Sequence, residues 1–407
     1  MHYGLLGRNL SHSYSPQIHS AFADYNYRLM EIQPDKLESF MRNANFSGIN
    51  VTIPYKKAVL PYCDELTPQA KRLGAVNTIV KKPDGTLWGH NTDYFGFLEM
   101  VKRSALNVQG KKALVLGSGG AGVTASAVLT DLGATVITIS RNGDHNYNNL
   151  HLHQDASIIV NATPVGMYPN NGTAPISLSV FPRLEGVLDL IYNPFKTELL
   201  LEAEEKGLVT LNGLYMLVAQ AKESAEYFSG TTISNEKIKD VYCSLKLQME
   251  NIILIGMPGS GKSTIGAMVA KALGRQFIDT DQLIVERVKM SIPDYMEKYG
   301  LERFRQEESS IIRDISKQSG LIIATGGGCV TQEENYRPLH QNGTVIWIDR
   351  PIRDLPIEGR PLSIAANLDE MYAVRSPLYS HFADLQIKNN TMPEMAVETI
   401  LKALKGD

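Results

Sequence analysis

The sequence predicts an α/β protein built from parallel sheets in more than one unit, and three observations carry that reading. The chain has 407 residues, more than one domain at roughly 150 residues each. Short apolar runs alternate with amphipathic stretches from end to end, the pattern of strands and helices in parallel sheets. Two segments also repeat one local plan: a buried-type strand, a glycine-rich turn, and a helix closed by glycine. Lys112–Leu116 runs into Gly117–Gly122 and a helix through about Leu132, with Gly133 at its C′ position. Asn251–Ile255 runs into Gly256–Ser263 and a helix through about Leu273, followed by Gly274.

In chain order, the strands expected at Tyr3–Leu6, Gly48–Ile53 and Asn77–Val80 precede the first glycine loop, so residues 1–100 form their own α/β lobe. Residues 101–230 form a second lobe around that loop. A helix over Ser234–Leu247 rejoins the first lobe, the major boundary falls at about 248, and residues 249–407 form the last domain. Hydrophobic residues at 43% and charged residues at 20% argue against disordered, collagen-like or coiled-coil chains. The net charge is −3; residues 1–248 are formally neutral and residues 249–407 carry the excess. Neither half has the basic surplus of a nucleic-acid binder. Cys63, Cys243 and Cys329 lie far apart without a CxxC or His-flanked pattern and read as structural thiols. The amino terminus lacks a signal-peptide pattern and no stretch approaches ~20 apolar residues, so a cytoplasmic protein without membrane contact is expected.

Gly117, Gly119 and Gly122, with Gly120 and Ala121 between them, fit GxGxxG in a strand–turn–helix setting. A second strand, Ala134–Ile139, completes the dinucleotide-binding unit of a Rossmann lobe. Where NAD sites tend to carry an acidic residue, this chain has Ser140, Arg141 and Asn142. A guanidinium suits a 2′-phosphate, which favours NADP; a solvated loop arginine is the alternative. The amino-terminal lobe supplies polar groups: Ser13 and Ser15 before Pro16, Lys56 beyond a strand end, Asn77, and Asp93. Singly, most of these are also ordinary turn residues.

Together the motifs resemble shikimate dehydrogenase across residues 1–248. They run SxSPxxH, NVTxPxK, AVNT, NTD, the glycine loop, Asn161-Ala-Thr163, Asp189-Leu-Ile-Tyr192 and Leu217-Val-Ala-Gln220. The resemblance implies that Ser13, Ser15, Thr52, Asn77, Asp93, Tyr192 and Gln220 hold shikimate. It also implies that Thr163 and Gly213 join the cofactor contacts and that Lys56 and Asp93 are the catalytic pair. Hydride delivery to a ketone builds an alkoxide that needs a proton, which a lysine beside a carboxylate can supply.

Gly256-Met-Pro-Gly259-Ser260-Gly261-Lys262-Ser263 satisfies GxxxxGK(S/T), with Thr264 following. Its backbone cradles phosphates, Lys262 reaches the β/γ oxygens, and the Ser263 hydroxyl suits Mg²⁺. Asp279 and Asp281 follow at a strand end, and Arg305, Arg360 and Arg375 suggest an anionic acceptor. The set resembles shikimate kinase over residues 249–407, a P-loop domain of the nucleoside-monophosphate-kinase type with a parallel sheet. That resemblance places Asp279 in the magnesium shell and makes Asp281 the base on the acceptor diol. Arg305 and Arg375, with Gly327 and Gly328, would hold the shikimate carboxylate, and Arg360 would be the lid arginine. Glu308 orients Arg305 on the plainest reading. The lid is short: only residues 350–359 separate the strand Val345–Asp349 from Arg360.

The expected protein is therefore a two-lobed dehydrogenase fused to a P-loop kinase. It takes 3-dehydroshikimate to shikimate with NADPH and then to shikimate 3-phosphate with ATP and Mg²⁺, as a monomer or homodimer. The alternatives are an NAD-using quinate/shikimate dehydrogenase fused to a small-molecule kinase, or a ligand sensor with dead sites.

Overall fold

The computed structural model describes residues 2–10, 13–355 and 368–405. Its chain divides into two compact units. The first comprises residues 1–166, 173–192 and 202–244; the second comprises residues 167–172, 193–201 and 245–407. Among the described residues no helix is long and apolar enough to cross a membrane, and Cys63, Cys243 and Cys329 are all free thiols.

The first unit holds two sheets. One contains β1 (Tyr3–Gly7), β2 (Tyr27–Glu31), β3 (Gly48–Val51), β4 (Glu65–Leu66), β5 (Thr78–Lys81) and β6 (Leu87–His90) in the order β2-β1-β3-β5-β6-β4. Both neighbours of β1 run parallel to it, but β5 is antiparallel to β3 and to β6. This departs from the all-parallel expectation for a local reason. Between β5 and β6 there is no helix, only a turn in which Lys82 N–H donates to Thr86 O at 2.9 Å and Gly85 takes φ 91°. The core on this sheet is formed by Leu6, Met41, Ile49, Val51, Val59, Val76 and Ile79, all essentially inaccessible.

The other sheet is fully parallel. It contains β7 (Lys112–Leu116), β8 (Thr135–Ile139), β9 (Ile158–Asn161), β10 (Gly186–Asp189) and β11 (Val209–Asn212) in the order β11-β10-β9-β7-β8. The winding order reverses beside β7, the position at whose carboxyl end parallel sheets of this kind bind ligands. The helix Asp93–Ser104 packs Phe97, Met100 and Val101 into this core. The returning helix spans Glu236–Met249, two residues later than expected at each end, so position 248 lies inside its last turn.

The second unit carries a parallel sheet of β12 (Asn251–Ile255), β13 (Phe277–Asp279), β14 (Ile322–Ala324), β15 (Gly343–Asp349) and β16 (Leu385–Lys388), ordered β13-β14-β12-β15-β16. Its strands read as apolar runs because both faces are covered. Ile253, Ile255, Ile323, Val345 and Trp347 face one core, and Ile252, Leu254, Ile322, Ile346 and Ile348 face the other. The helix Lys262–Leu273 starts directly at the glycine turn after β12 and ends at Gly274, φ 64°.

Candidate active sites

In the first unit the polar residues gather where β1 and β3 end. A Cβ on Gly7, the last residue of β1, would meet the Thr52 methyl, so the two strand ends sit side by side. Thr52 N–H donates to Leu6 O at 2.9 Å and Tyr55 N–H to Thr52 O at 2.9 Å, a turn that carries the chain to Lys56. Val76 N–H donates to Lys56 O at 2.8 Å, which ties that backbone to the segment bearing Asn77. Lys56 Nζ lies 2.6 Å from Asp93 Oδ2, with side chains 28% and 12% exposed, reachable by a ligand yet partly shielded from water. Asp93 is the first residue of the helix Asp93–Ser104.

Behind this pair lies a buried hydrogen-bond network. Asn77 Oδ1 accepts from Thr92 N–H at 2.8 Å, and Asn77 Nδ2 donates to Thr92 Oγ1 at 3.0 Å. Asn50 Nδ2 donates to Thr78 Oγ1 at 3.0 Å and to Ser224 Oγ at 2.8 Å. Ser224 also meets Thr78 at 2.8 Å and Thr92 at 3.0 Å. Gln220, one turn earlier on the same face of the helix Leu214–Ser229, reaches Thr92 Oγ1 at 3.4 Å. The network fixes the Asn91-Thr92-Asp93 turn against β5. Asn50, Thr78, Thr92 and Ser224 were not singled out from sequence; the i, i+4 spacing of Gln220 and Ser224 was the available signal. Ser13 Oγ and Ser15 Oγ are 3.1 Å apart, and Ser15 N–H donates to Ser13 Oγ at 3.2 Å. Ser15 opens the helix Ser15–Phe22, rather than preceding it, with Pro16 in the first turn. Tyr192 lies edge-on to Tyr14 with ring centres 6.4 Å apart, and burial pushes its hydroxyl pKa up.

The dinucleotide loop matches its expected construction. Gly117 adopts φ 105°, and a Cβ on Gly122 would overlap Gly117 O, so only glycine lets the helix Gly120–Asp131 start this close to β7. Gly119 is the helix N-cap and has open space around it. Arg141 and Asn142 are exposed just past β8, where Ser140 N–H donates to His145 O at 3.1 Å. Asn161, at the end of β9, donates through Nδ2 to both oxygens of Asp189 at 3.0 and 3.1 Å, and its Oδ1 accepts from the Thr163 hydroxyl at 2.7 Å. That chain of contacts fixes Thr163 beside Gly117, whose Cβ would meet the Thr163 methyl at 3.1 Å. A Cβ on Gly213 would overlap the Leu190 carbonyl, so its role in the fold is close packing.

In the second unit one cavity of about 1190 Å³ brings together Gly259, Gly261, Lys262, Ser263, Thr264, Asp279, Asp281, Arg305, Glu308, Gly327, Gly328 and Arg375. Gly256, Gly259 and Gly261 take φ of 142°, 84° and 97°, the left-handed backbone from which anion-binding nests of N–H groups are built. The buried Lys262 ammonium donates to Gly256 O and Met257 O, each at 2.9 Å. Ser263 Oγ donates to Asp279 Oδ2 at 2.6 Å. A hydroxyl and a carboxylate in contact at the foot of a phosphate loop are a donor set that fits Mg²⁺, which takes few protein oxygens when phosphates and water complete its shell.

Asp279 also caps the next helix, accepting from Asp281 N–H at 3.0 Å. Burial, and then Asp279, raise the Asp281 pKa against the opposing pull of Lys262 and Arg305. Arg305 Nη1 donates to Glu308 Oε2 at 2.5 Å with both side chains buried; burial raises the Glu308 pKa although Arg305 opposes it. The glycines after β14 are sized to these groups. A Cβ on Gly326 would meet Glu308 Oε1 and Asp281 Oδ1, one on Gly327 would meet Pro258, and one on Gly328 would overlap the Arg305 guanidinium. Arg375 Nη1 donates to Gly327 O at 3.2 Å, and the Tyr379 hydroxyl donates to the same oxygen. Arg360 lies outside the described residues.

Comparison with known proteins covers both units. Residues 258–405 match the family model for shikimate kinase, and residues 5–79 match that for the shikimate dehydrogenase substrate binding domain. The shikimate dehydrogenase (NADP(+)) of Clostridium perfringens is 35% identical over 266 residues, covering 60% of this chain and 98% of that relative. The crystal structure of shikimate dehydrogenase 1 from Peptoclostridium difficile superposes with a TM-score of 0.57 at 40% identity, covering 60% of this chain and 98% of that one. The Thermus thermophilus shikimate 5-dehydrogenase, solved with NADP(H) and shikimate, gives 0.55 at 30% identity, covering 60% and 98%.

Proposed function

Because the chain belongs to the shikimate dehydrogenase family and carries beyond it a segment matching the shikimate kinase family, we propose that it catalyses two consecutive steps. It reduces 3-dehydroshikimate to shikimate with NADPH, then phosphorylates the 3-hydroxyl with MgATP. Two observations support the reading: the 2.6 Å contact of Lys56 with Asp93, and the presence of Asp281 in one cavity with Lys262, Ser263 and Arg305.

In the first site NADPH supplies the hydride when bound. Lys56 Nζ donates a proton to the oxygen that becomes the hydroxyl, and Asp93 holds the ammonium on that line and steers its reprotonation. Asn77, Gln220, Ser13, Ser15 and Thr52 orient the ring hydroxyls and carboxylate, with Tyr192 beside Tyr14 completing the wall. Gly117, Gly119, Gly120, Ala121 and Gly122 would hold the pyrophosphate, Thr163 and Gly213 would join the cofactor contacts, and Arg141 with Asn142 would meet the 2′-phosphate.

In the second site MgATP supplies the phosphoryl group when bound, with Ser263 and Asp279 holding the metal. Asp281 accepts the proton from the 3-hydroxyl, and Arg305 and Arg375 pair with the acceptor carboxylate. The raised Asp281 pKa suits a base that must take up a proton. The oxygen reduced at the first site is the oxygen phosphorylated at the second. Incubation with 3-dehydroshikimate, NADPH and MgATP should yield shikimate 3-phosphate with one NADPH and one ATP consumed per molecule. NADPH oxidation without phosphorylated product, or phosphorylation of another acceptor in preference to shikimate, would overturn the reading.

A further inference from the structure

Away from the Lys56–Asp93 contact, the first unit contains a second cavity of about 250 Å³ between the end of β6 and the helices Asp93–Ser104 and Leu214–Ser229. Its polar lining is unsatisfied. His90 is 1% exposed, and neither of its ring nitrogens has a hydrogen-bond partner. Asn91, 6% exposed, spends its Nδ2 on Ala75 O at 3.0 Å, while its Oδ1 has no partner. Polar atoms orphaned at this depth destabilise the fold unless something bonds to them. Both residues line one cavity, and their missing partners point to an occupant.

The rest of the lining selects its chemistry. Phe95, Leu98 and Tyr227 give apolar and aromatic walls, and the Tyr227 ring centre lies 3.8 Å from that of His90. Glu223 adds a carboxyl group, and Glu226 lies near enough to act on it. Lys222 opposes both, but its ammonium is held by Glu226 at 2.7 Å. Lys82, on the other side of Trp88, is the remaining cation that acts on His90. Burial lowers the His90 pKa to about 4, so the ring is neutral and keeps an acceptor lone pair at physiological pH. Carboxyl groups repel an anion, whereas an acceptor-rich cavity with aromatic faces suits a group with several N–H donors and a positive charge.

We propose that this cavity is a binding site for a small primary ammonium compound, its charge met by Glu223, its N–H groups by Asn91 Oδ1 and His90, and its apolar body by Phe95, Leu98 and Tyr227. Burial, then Glu226, push the Glu223 pKa up to about 8, so at neutral pH the carboxyl is mostly protonated. Binding of the ammonium form therefore releases that proton to solvent, with the cation taking its place beside the carboxylate. The affinity should rise by up to tenfold per pH unit below about 8 and flatten above it.

The test is calorimetric titration of the full chain with benzylammonium chloride in two buffers of different ionisation enthalpy, with benzyl alcohol as the uncharged control of similar shape. The expected result is saturable binding of the ammonium, release of close to one proton, and at least tenfold weaker binding of the alcohol. Glu223→Gln should weaken ammonium binding at least tenfold and abolish proton release. Leu98→Phe, which narrows the cavity while leaving the carboxyl in place, should weaken it while NADPH oxidation with 3-dehydroshikimate stays at the parent rate. Absence of saturable binding, equal binding of the alcohol, or unchanged binding in either folded variant would overturn the proposal.

Discussion

Lys56 and Asp93 make the sharpest residue-level claim, because a 2.6 Å contact between partly shielded groups gives the lysine one direction in which to donate. Lys56→Ala should cut NADPH oxidation by about 10²- to 10⁴-fold, the usual contribution of a placed proton donor. Phosphorylation of added shikimate by the same variant should stay within twofold of the parent, and a parallel loss of both activities would refute separate sites. Asp281 carries the corresponding claim for the kinase, with a sign that can be worked out. A base acts only when ionised, and burial together with Asp279 raises its pKa. The acid-side fall of kcat/KM for shikimate should therefore lie above the ordinary carboxylate range of about 4, and Asp281→Asn should retain only a small residual rate. An acid limb at or below that range would show that Asp281 is not the titrating group.

At the scale of elements, the glycines after β14 show how backbone space sets side-chain position. A methyl on Gly328 would occupy the place of the Arg305 guanidinium, so Gly328→Ala should raise the KM for shikimate at least tenfold with little change in the KM for ATP. The buried network makes a different prediction. Ser224 meets Asn50, Thr78 and Thr92 at once, and Ser224→Ala leaves those groups short of a partner at a cost of about 1–3 kcal/mol, readable as a lower denaturant midpoint.

The same elements show what could be read from sequence. Gly117, Gly122 and Gly256 were legible because φ and close approach restrict those positions to glycine within one strand–turn–helix segment. Asn50 and Ser224 meet across 174 positions of chain, and nothing local in either stretch announces the partner. The antiparallel pairing of β5 is hidden for the opposite reason. Alternating apolar runs alone do not give strand direction, whereas Pro83-Asp84-Gly85 reverses the chain directly. Glu308 reads from sequence as a holder of Arg305, but its full burial depends on the packing of the helix Leu301–Ile315.

For the whole molecule, the net charge of −3 now has a functional meaning, because every proposed substrate and nucleotide is an anion. On the proposed reading long-range attraction would not gather them; Lys56, Lys262, Arg305 and Arg375 would act at contact distance, where partial burial limits screening. What joins the two activities in one chain is then chemical sequence, and mass action alone gives it a measurable consequence. Reduction of 3-dehydroshikimate is reversible, and phosphorylation removes its product, so the first equilibrium must move toward shikimate when ATP is present. With limiting NADPH and excess NADP⁺, adding MgATP to the parent chain should increase the final extent of NADPH oxidation. The Asp281→Asn variant should show no increase, and wild-type chain should show none when MgATP is replaced by MgADP. An extent of oxidation unaffected by ATP in the parent would mean that the kinase does not draw on the shikimate made by the dehydrogenase.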